Sequence, residues 1–338
     1  MSFRLIFSLL SLSVVIGCVG GKIGGITPAK ELPQEITKDV KKKFEITSDT
    51  VVVEIKKEGL LQNKNSTSNL KKKTSKKQSK KKIKTKSQTS FILPNRRPKD
   101  DPLWVGERML FELTYFGLPA AEFSMEVLPF KEINNRKVYH VRGEAKTLSI
   151  FNWFYRINDS VESYFDYDGF FSYRFHLNLD ETKQTRKILE LNDSEKKKTF
   201  FWSRWNHHKK GYKETKKFFK MKPFSQDSLS AIYYVRTLDL PTGAVIRFPV
   251  ISEGKNWEAE VTVVRREKVK TALGLIDTIV LRPVTKYKGV LKQQGNSYIW
   301  LSDDDRRFIL RIEAKVKIGK FIAKLKSIDK GVTPVGAR

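Results

Sequence analysis

Over residues 107–316 apolar and polar side chains alternate with a period of two, in one segment after another, and turn-forming residues separate the segments. A strand sends successive side chains to opposite faces, so the pattern describes strands with one face buried and one in water. That is the signature of antiparallel sheet. Glu107 to Phe116 places Met109, Phe111, Leu113 and Tyr115 on one side, and Ala121 to Leu128 follows after Gly117-Leu118-Pro119. Further alternation covers 137–145, 156–165, 171–179, 199–202, 245–251, 257–264, 277–281, 297–301 and 308–316. Asn134-Asn135, Asp168-Gly169, Pro241-Thr242-Gly243, Glu253-Gly254 and Leu273-Gly274 supply the turns.

One stretch breaks the rhythm. Between Ser225 and Arg236, the residues Leu229, Ile232, Tyr233 and Arg236 recur at helical spacing, with Ser225 or Asp227 placed to cap the first turn. This predicts the main helix, near 226–238, and a shorter helical turn is expected over Leu148–Trp153. No fixed-period repeat is present, which argues against a solenoid or propeller. The expected fold is mainly β: a single large antiparallel sheet, curled into an open barrel-like or sandwich form, with the helix filling its concave side.

The N-terminus adds a location. Arg4 and the apolar run Leu5–Ile16 are the parts of an export signal over residues 1–17, too short for the roughly 20 residues of a spanning helix. Val15-Ile16-Gly17-Cys18 resembles the lipobox of bacterial lipoproteins, and that resemblance implies acylation of Cys18 as the first mature residue. Val19 after it points to the periplasmic face of the outer membrane, with the inner membrane as the alternative. An ordinary secretory signal is the competing reading. Cys18 is the only cysteine, and with it lipidated nothing remains for a disulfide, a thiolate metal site or a cysteine nucleophile.

From residue 18 to about 101 the chain is rich in Lys, Ser, Thr, Gln and Asn and too poor in apolar residues to offset its chain entropy, so a disordered tether is expected. Ten of the sixteen residues from Lys71 to Lys86 are lysine and none is acidic. Lys71, Lys72, Lys73, Lys76, Lys77, Lys80, Lys81 and Lys82 are candidate contacts to a polyanion, or else part of a self-repelling spacer. Without interleaved aromatics or arginines the run gives no ground for specific nucleic-acid recognition. A short strand is conceivable at Thr50–Ile55. The formal net charge is +29, and residues 101–338 hold 43 Lys and Arg against 29 Asp and Glu, so the expected domain, 102–330 with a tail at 331–338, is itself basic.

Gly106-Glu107 with Phe111–Gly117, Ile157–Asp166, Asp227–Thr237, Ile276-Asp277-Thr278 and Trp300–Arg307 together resemble the bacterial family called domain of unknown function 3108. The resemblance implies an envelope protein with one β-rich domain and brings no established activity.

Residues able to do chemistry are sparse. His140 and His176 sit in alternating segments, as satisfied structural imidazoles would, and His207-His208 lies in what reads as a hairpin tip from Trp205 to Gly211. Asp303-Asp304-Asp305 with Arg306-Arg307 reads as an ion-paired turn. No nucleophile elbow, phosphate loop or dinucleotide fingerprint is present. Aromatics carry more weight: Phe151, Trp153, Phe154 and Tyr155 crowd one segment, and Phe200, Phe201, Trp202, Trp205, Phe218 and Phe219 crowd another, interleaved with Lys196, Lys197, Lys198, Lys209 and Lys210. Rings stack on sugars and lysines pair with phosphates, so Trp153, Tyr155, Trp202, Trp205, Lys209 and Lys210 are the candidate ligand contacts. The expected function is non-enzymatic: a lipid-anchored periplasmic protein, without cofactor or metal, that binds an anionic glycolipid or polysaccharide. Two alternatives stay open, a scaffold lipoprotein that binds another envelope protein and an envelope hydrolase using Asp303, Asp305 or Glu162.

Overall fold

The computed structural model describes residues 36–48, 91–287, 290–291, 297–315 and 319–332. Cys18, the Thr50–Ile55 segment and the lysines from Lys71 to Lys82 lie outside the described residues. The chain divides into two compact units, residues 1–49 with 93–338 and residues 50–92. The first carries the folded elements.

In chain order these are α1 (Lys38–Lys43), β1 (Thr47–Ser48), β2 (Glu107–Tyr115), β3 (Leu118–Ile133), β4 (Arg136–Thr147), β5 (Asn158–Asp166), β6 (Ser172–Glu181), β7 (Gln184–Asp193), β8 (Lys198–His207) and β9 (Gly211–Lys220). Then come α2 (Ser230–Arg236), β10 (Val245–Ser252), β11 (Lys255–Thr271), β12 (Gly274–Tyr287), β13 (Val290–Leu291), β14 (Ser297–Ser302), β15 (Ile309–Lys315) and β16 (Lys320–Lys330). Fourteen of the strands make one sheet in the order β10-β11-β12-β14-β15-β16-β2-β3-β4-β5-β6-β7-β8-β9, with β1 added beside β3 and β13 beside β12. Neighbours on this path are antiparallel. The expected mainly-β, curled antiparallel sheet is the fold observed.

Curling follows from what the sheet must cover. Met109, Phe111, Leu113, Phe123, Met125, Phe175, Leu177, Trp257, Val261, Val263 and Leu281 belong to a single apolar cluster that also takes in Ala231, Tyr233 and Val235 of α2. The helix reaches both halves of the sheet: Tyr233 lies 6.3 Å from Phe165 on β5, and Tyr234 lies 5.3 Å from Phe248 on β10. Asp227 starts the helix, its Oδ1 accepting from Leu229 N and Ser230 N at 2.8 and 2.7 Å while its own N–H donates to Ser230 Oγ. This is the capping role expected for it. The observed helix is shorter than the predicted span, and Leu148–Trp153 contains the expected turn as a single 3-10 turn, Ser149–Phe151.

The terminal strands β9 and β10 do not pair with each other, and side chains bridge the seam. The β10–β11 turn, Glu253-Gly254, has both residues at positive φ, 53° and 66°, as a tight hairpin requires. Glu253 accepts from Arg186 on β7 at 3.0 Å, and Glu190 accepts from Gly254 N at 2.9 Å. A Cβ on Gly254 would come within 2.8 Å of Phe201 and 2.7 Å of Lys217, so the close approach also needs glycine there. Gln226 adds a parallel bridge to Val250.

The stretches that carry the family resemblance converge on buried polar contacts. Arg236, fully buried, donates to both carboxylate oxygens of fully buried Glu107, at 2.6 and 2.9 Å. Arg306 donates to Glu107 Oε2 at 2.8 Å and to Pro102 O at 3.0 Å, and its guanidinium lies 3.6 Å from the Trp104 ring centre. Ser163 donates to Asp227 Oδ2. These motifs tie the two ends of the domain's chain to its helix.

Part of the expected tether is folded. Ile36 and Phe44 are buried, at 3% and 2% exposure, in a second apolar cluster with Ile133, Val138, Tyr164, Phe171, Leu189, Leu191 and Phe200 on the convex face. Lys43 pairs with Asp193 and Glu195, Arg174 donates to Phe44 O, and β1 pairs with β3 at Lys131 and Glu132. Arg97 donates to Asp101 and Tyr139. The tether expected over 18–101 is therefore corrected for 36–48 and for 93–101. Ile36, Val40 and Phe44 recur every four residues, one face of a helical turn, and that stripe is what docks.

Candidate functional site

Strands β7, β8 and β9 carry most of the residues singled out by the sequence. Trp202 and Trp205 are three positions apart in one strand, so the pleat sends them to opposite faces. Trp202 shares the convex face with Leu189, donates to Glu214 Oε1 at 2.6 Å and has Arg204 stacked 4.3 Å from its ring centre. Trp205 pairs with Arg186 on the concave face and donates to Gln184 Oε1 at 2.8 Å. Gln184 donates to Glu181 Oε2 at 2.6 Å, and Tyr155 Oη donates to the same oxygen at 2.8 Å. Lys210 and Lys183 stand 5.8 Å from the Trp205 and Tyr155 ring centres respectively.

Tyr155, Trp205 and Lys210 thus come together, while Lys209 is exposed in the β8–β9 turn and Trp153, 85% exposed, sits on the β4–β5 loop. The six candidates do not form one site. The expected hairpin tip is also shorter than its sequence suggested: Trp205, Asn206 and His207 belong to β8.

The acids beneath this turn are buried rather than available. Asp159 is 4% exposed, and burial, then the charge of Glu181, push its carboxyl up to about 7 against a hydrogen bond from Asp180 N. Shifted carboxyls of this kind often mark acid-base sites. Here Tyr155, Gln184 and Trp205 close over Glu181, itself 3% exposed, and leave no access for a substrate.

The acids named for the hydrolase alternative lie apart in the sheet, Asp303 and Asp305 just after β14 and Glu162 on β5. Asp303 pairs with Arg266, and Asp304 Oδ1 accepts from Ser302 Oγ, Arg306 N and Arg307 N, which makes the acidic run a capped turn. Glu162 lies on β5, six strands along the sheet from β14. Burial raises its carboxyl, but His140, Tyr164 and Arg142 outweigh that and hold it at about 2. One histidine is less satisfied than expected. His140 stacks on Tyr164 at 4.3 Å with its Nε2 3.4 Å from Glu162 Oε2, whereas His176 Nε2 has no hydrogen-bond partner among the described residues. Burial, then the charge of Arg174, lowers His176 to about 4 and keeps it neutral. His207 Nδ1 accepts from Lys209 N at 3.0 Å, and no group of three His, Cys, Asp or Glu suited to a metal occurs among the described residues.

At the other end of β8 and β9 lies a shallow depression of about 420 Å³ lined by Lys196, Lys197, Lys198, Phe218, Phe219 and Lys220. Its four lysines are exposed, and Phe218 is half exposed with Lys198 4.4 Å from its ring centre. Lys198 and Lys220 face each other across the strand pair. Directly opposed like charges are unfavourable in a sheet. The neighbouring acids, Asp193 and Glu195, are engaged by Lys43, and among the described residues the four lysines form no ion pair. Lysines on an edge strand such as β9 also deter pairing with another sheet. That accounts for Lys213, Lys216 and Lys217; it does not account for Lys196 and Lys197, which lie in the β7–β8 turn. The sequence signal was the interleaving of these lysines with Phe218 and Phe219. The register that brings them together was not visible there.

A family model described as protein of unknown function, DUF3108, matches residues 110–326. No curated protein matches the chain. Solved structures similar to it include a beta-barrel-like protein of the domain of unknown function DUF1849 from Brucella abortus, at 12% identity and a TM-score of 0.40, covering 67% of this chain and 98% of that one. Others are a putative lipoprotein from Parabacteroides distasonis, at 10% identity and a TM-score of 0.30, covering 71% and 100%, and a putative exported protein with a YmcC-like fold from Bacteroides fragilis, at 10% and 0.30, covering 71% and 99%.

Proposed function

The chain belongs to the DUF3108 family of proteins of unknown function, and from that premise we propose that it is a non-catalytic, lipid-anchored envelope protein that binds an anionic component, a phosphorylated glycolipid or an acidic polysaccharide, at the lysine-rimmed depression. Acylation of Cys18 and the outer-membrane location belong to the same proposal. The observation that carries it is the opposition of Lys198 and Lys220 beside Lys196, Lys197 and an exposed phenyl ring, with the nearby acids Asp193 and Glu195 paired to Lys43. Like charges directly opposite across two strands are unfavourable, a cost that a bound phosphate or carboxylate removes. Phe218 offers an apolar face for a sugar ring or acyl stem.

The test is calorimetric titration of the full chain with de-acylated lipopolysaccharide, a phosphorylated sugar that has no acyl chains. Lys196→Glu/Lys198→Glu/Lys220→Glu should abolish binding. The matched reversal Lys270→Glu/Lys324→Glu/Lys330→Glu, on exposed positions of β11 and β16, should leave most of it. Equal loss in both would reduce the effect to net charge and overturn the site.

A further inference from the structure

The turns opposite the depression are stitched into one row by backbone hydrogen bonds: Leu148 N to Ala120 O, Thr182 N to Arg156 O and His208 N to Lys183 O. One half of the row is apolar and exposed. Phe116 of the β2–β3 turn and Leu118, the first residue of β3, are 65% and 63% exposed, and Ile150, Trp153 and Phe154 of the β4–β5 loop are 71%, 85% and 75% exposed. The loop sequence Leu148-Ser-Ile-Phe-Asn-Trp-Phe-Tyr155 carries no charge. The other half of the row is cationic, with Lys183 and Lys209 exposed and Lys210 beside Trp205. Of its acids, Asp180 is paired with Arg156 and Glu181 is buried.

We infer that this end of the sheet is a membrane-contacting tip, in which Ile150, Trp153 and Phe154, with Phe116 and Leu118, enter the interfacial zone of a bilayer while Lys183 and Lys209 meet anionic head groups. Apolar and aromatic side chains beside lysines are the composition that interfacial binding uses. Narrow protruding turns suit a deformable lipid surface, whereas a stable protein interface needs about 800 Å² per partner, more naturally offered by a flat face. Chain length allows it: residues 19–35 between Cys18 and Ile36 can span up to about 60 Å when extended. A ten-residue strand is roughly 30 Å long. An acyl group on Cys18 therefore reaches a membrane on the tip side even though Ile36 docks nearer the other end. The tip stands on residues separate from the lysine depression, so either proposal can fail alone.

The experiment uses the mature chain, residues 18–338 with Cys18→Ser, so that neither the signal run Leu5–Ile16 nor an acyl chain dominates, in flotation with phosphatidylcholine vesicles containing phosphatidylglycerol. The expected result is partition that falls about a hundredfold in Ile150→Ser/Trp153→Ser/Phe154→Ser. It should also fall in Phe116→Ser/Leu118→Ser, and both variants should keep the parental unfolding midpoint. Brominated acyl chains should quench the parent's fluorescence, and Trp153→Phe should remove most of that quenching while retaining partition. Partition that is absent from the parent, unchanged in both serine variants, or abolished instead by the reversal of Lys196, Lys198 and Lys220 overturns the proposal. A patch that serves a protein partner gives the first of these outcomes.

Discussion

Replacing Glu107 tests whether the shared motifs hold the fold or do something else. Its carboxylate is fully buried and is the counter-charge for two arginines, Arg236 at 2.6 and 2.9 Å and Arg306 at 2.8 Å. Glu107→Gln keeps the shape and removes the charge, which leaves a fully buried guanidinium uncompensated. Breaking a buried pair in this way costs about 3–5 kcal/mol. Arg236→Met removes the other partner, but Glu107 then keeps Arg306, so the loss should be smaller by at least about 1 kcal/mol. In urea a domain of this size has a slope of about 2–3 kcal/mol/M, so Glu107→Gln should lower the midpoint by roughly 1.5 M and Arg236→Met by less. The assay is equilibrium unfolding followed by tryptophan fluorescence and by circular dichroism. A Glu107→Gln loss under about 1 kcal/mol, or a larger loss from Arg236→Met, would refute the account of Glu107 as the shared counter-charge.

Glu190 makes a pH prediction. Burial, with the nearby charges of Glu253 and Asp227, raises its carboxyl from 4.5 to about 8 against one hydrogen bond from Gly254 N. It is neutral in the folded chain and ionised in the unfolded chain above pH 4.5, so stability falls as pH rises toward 8, by about 1.4 kcal/mol per unit. Glu190→Gln should flatten the curve by that slope between pH 5 and 8 in parallel urea series, and an unchanged slope would show that the carboxyl is not held neutral. Phe44→Ala should cost about 3 kcal/mol and expose residues 36–48 to protease first, since Phe44 fills the convex cluster; protection equal to the parent's would show that the segment is not docked. Asp227→Ala should cost about 1–2 kcal/mol by removing the cap of α2, and urea midpoints that coincide with the parent's would count against that role.

Much of the architecture was legible because its dominant force is periodic. Alternation of Met109, Phe111 and Leu113 against polar neighbours marks β2 whatever its partners are, and Asp227 followed by Ser230 marks the start of α2 through local hydrogen bonds alone. Besides the two-residue β1 and β13, three long strands escaped. In β7, β9 and β16 charges crowd the pattern: Gly211–Lys220 has lysine at four of ten positions because β9 is an edge with both faces largely in water. The docked N-terminal segment escaped for a related reason, since Ile36, Val40 and Phe44 are diluted by Lys38, Lys41, Lys42 and Lys43. The pairing of Trp202 with Trp205 failed by parity. With β8 ended at Trp202, Trp205 looked like part of a turn; continued to His207, the odd spacing forces them apart.

What no local pattern could supply is register. Lys198 and Lys220 are 22 positions apart and become neighbours only because β8 and β9 pair through the turn after His207. Glu107, Arg236 and Arg306 likewise meet only once α2 is enclosed. These two long-range results point in different directions. The Glu107 cluster is buried and ion-paired, both carboxylate oxygens accepting from arginines, as a structural device should be. The Lys198–Lys220 opposition is exposed and unfavourable as it stands, and its replacement should stabilise the isolated chain. Lys220→Glu therefore separates stability from binding: it should raise the unfolding midpoint slightly, by a cross-strand gain of about 0.2–1 kcal/mol, while weakening the titration with de-acylated lipopolysaccharide. A variant that loses stability and binding together would place Lys220 among the residues that hold the sheet, and the anion site would lose its strongest support.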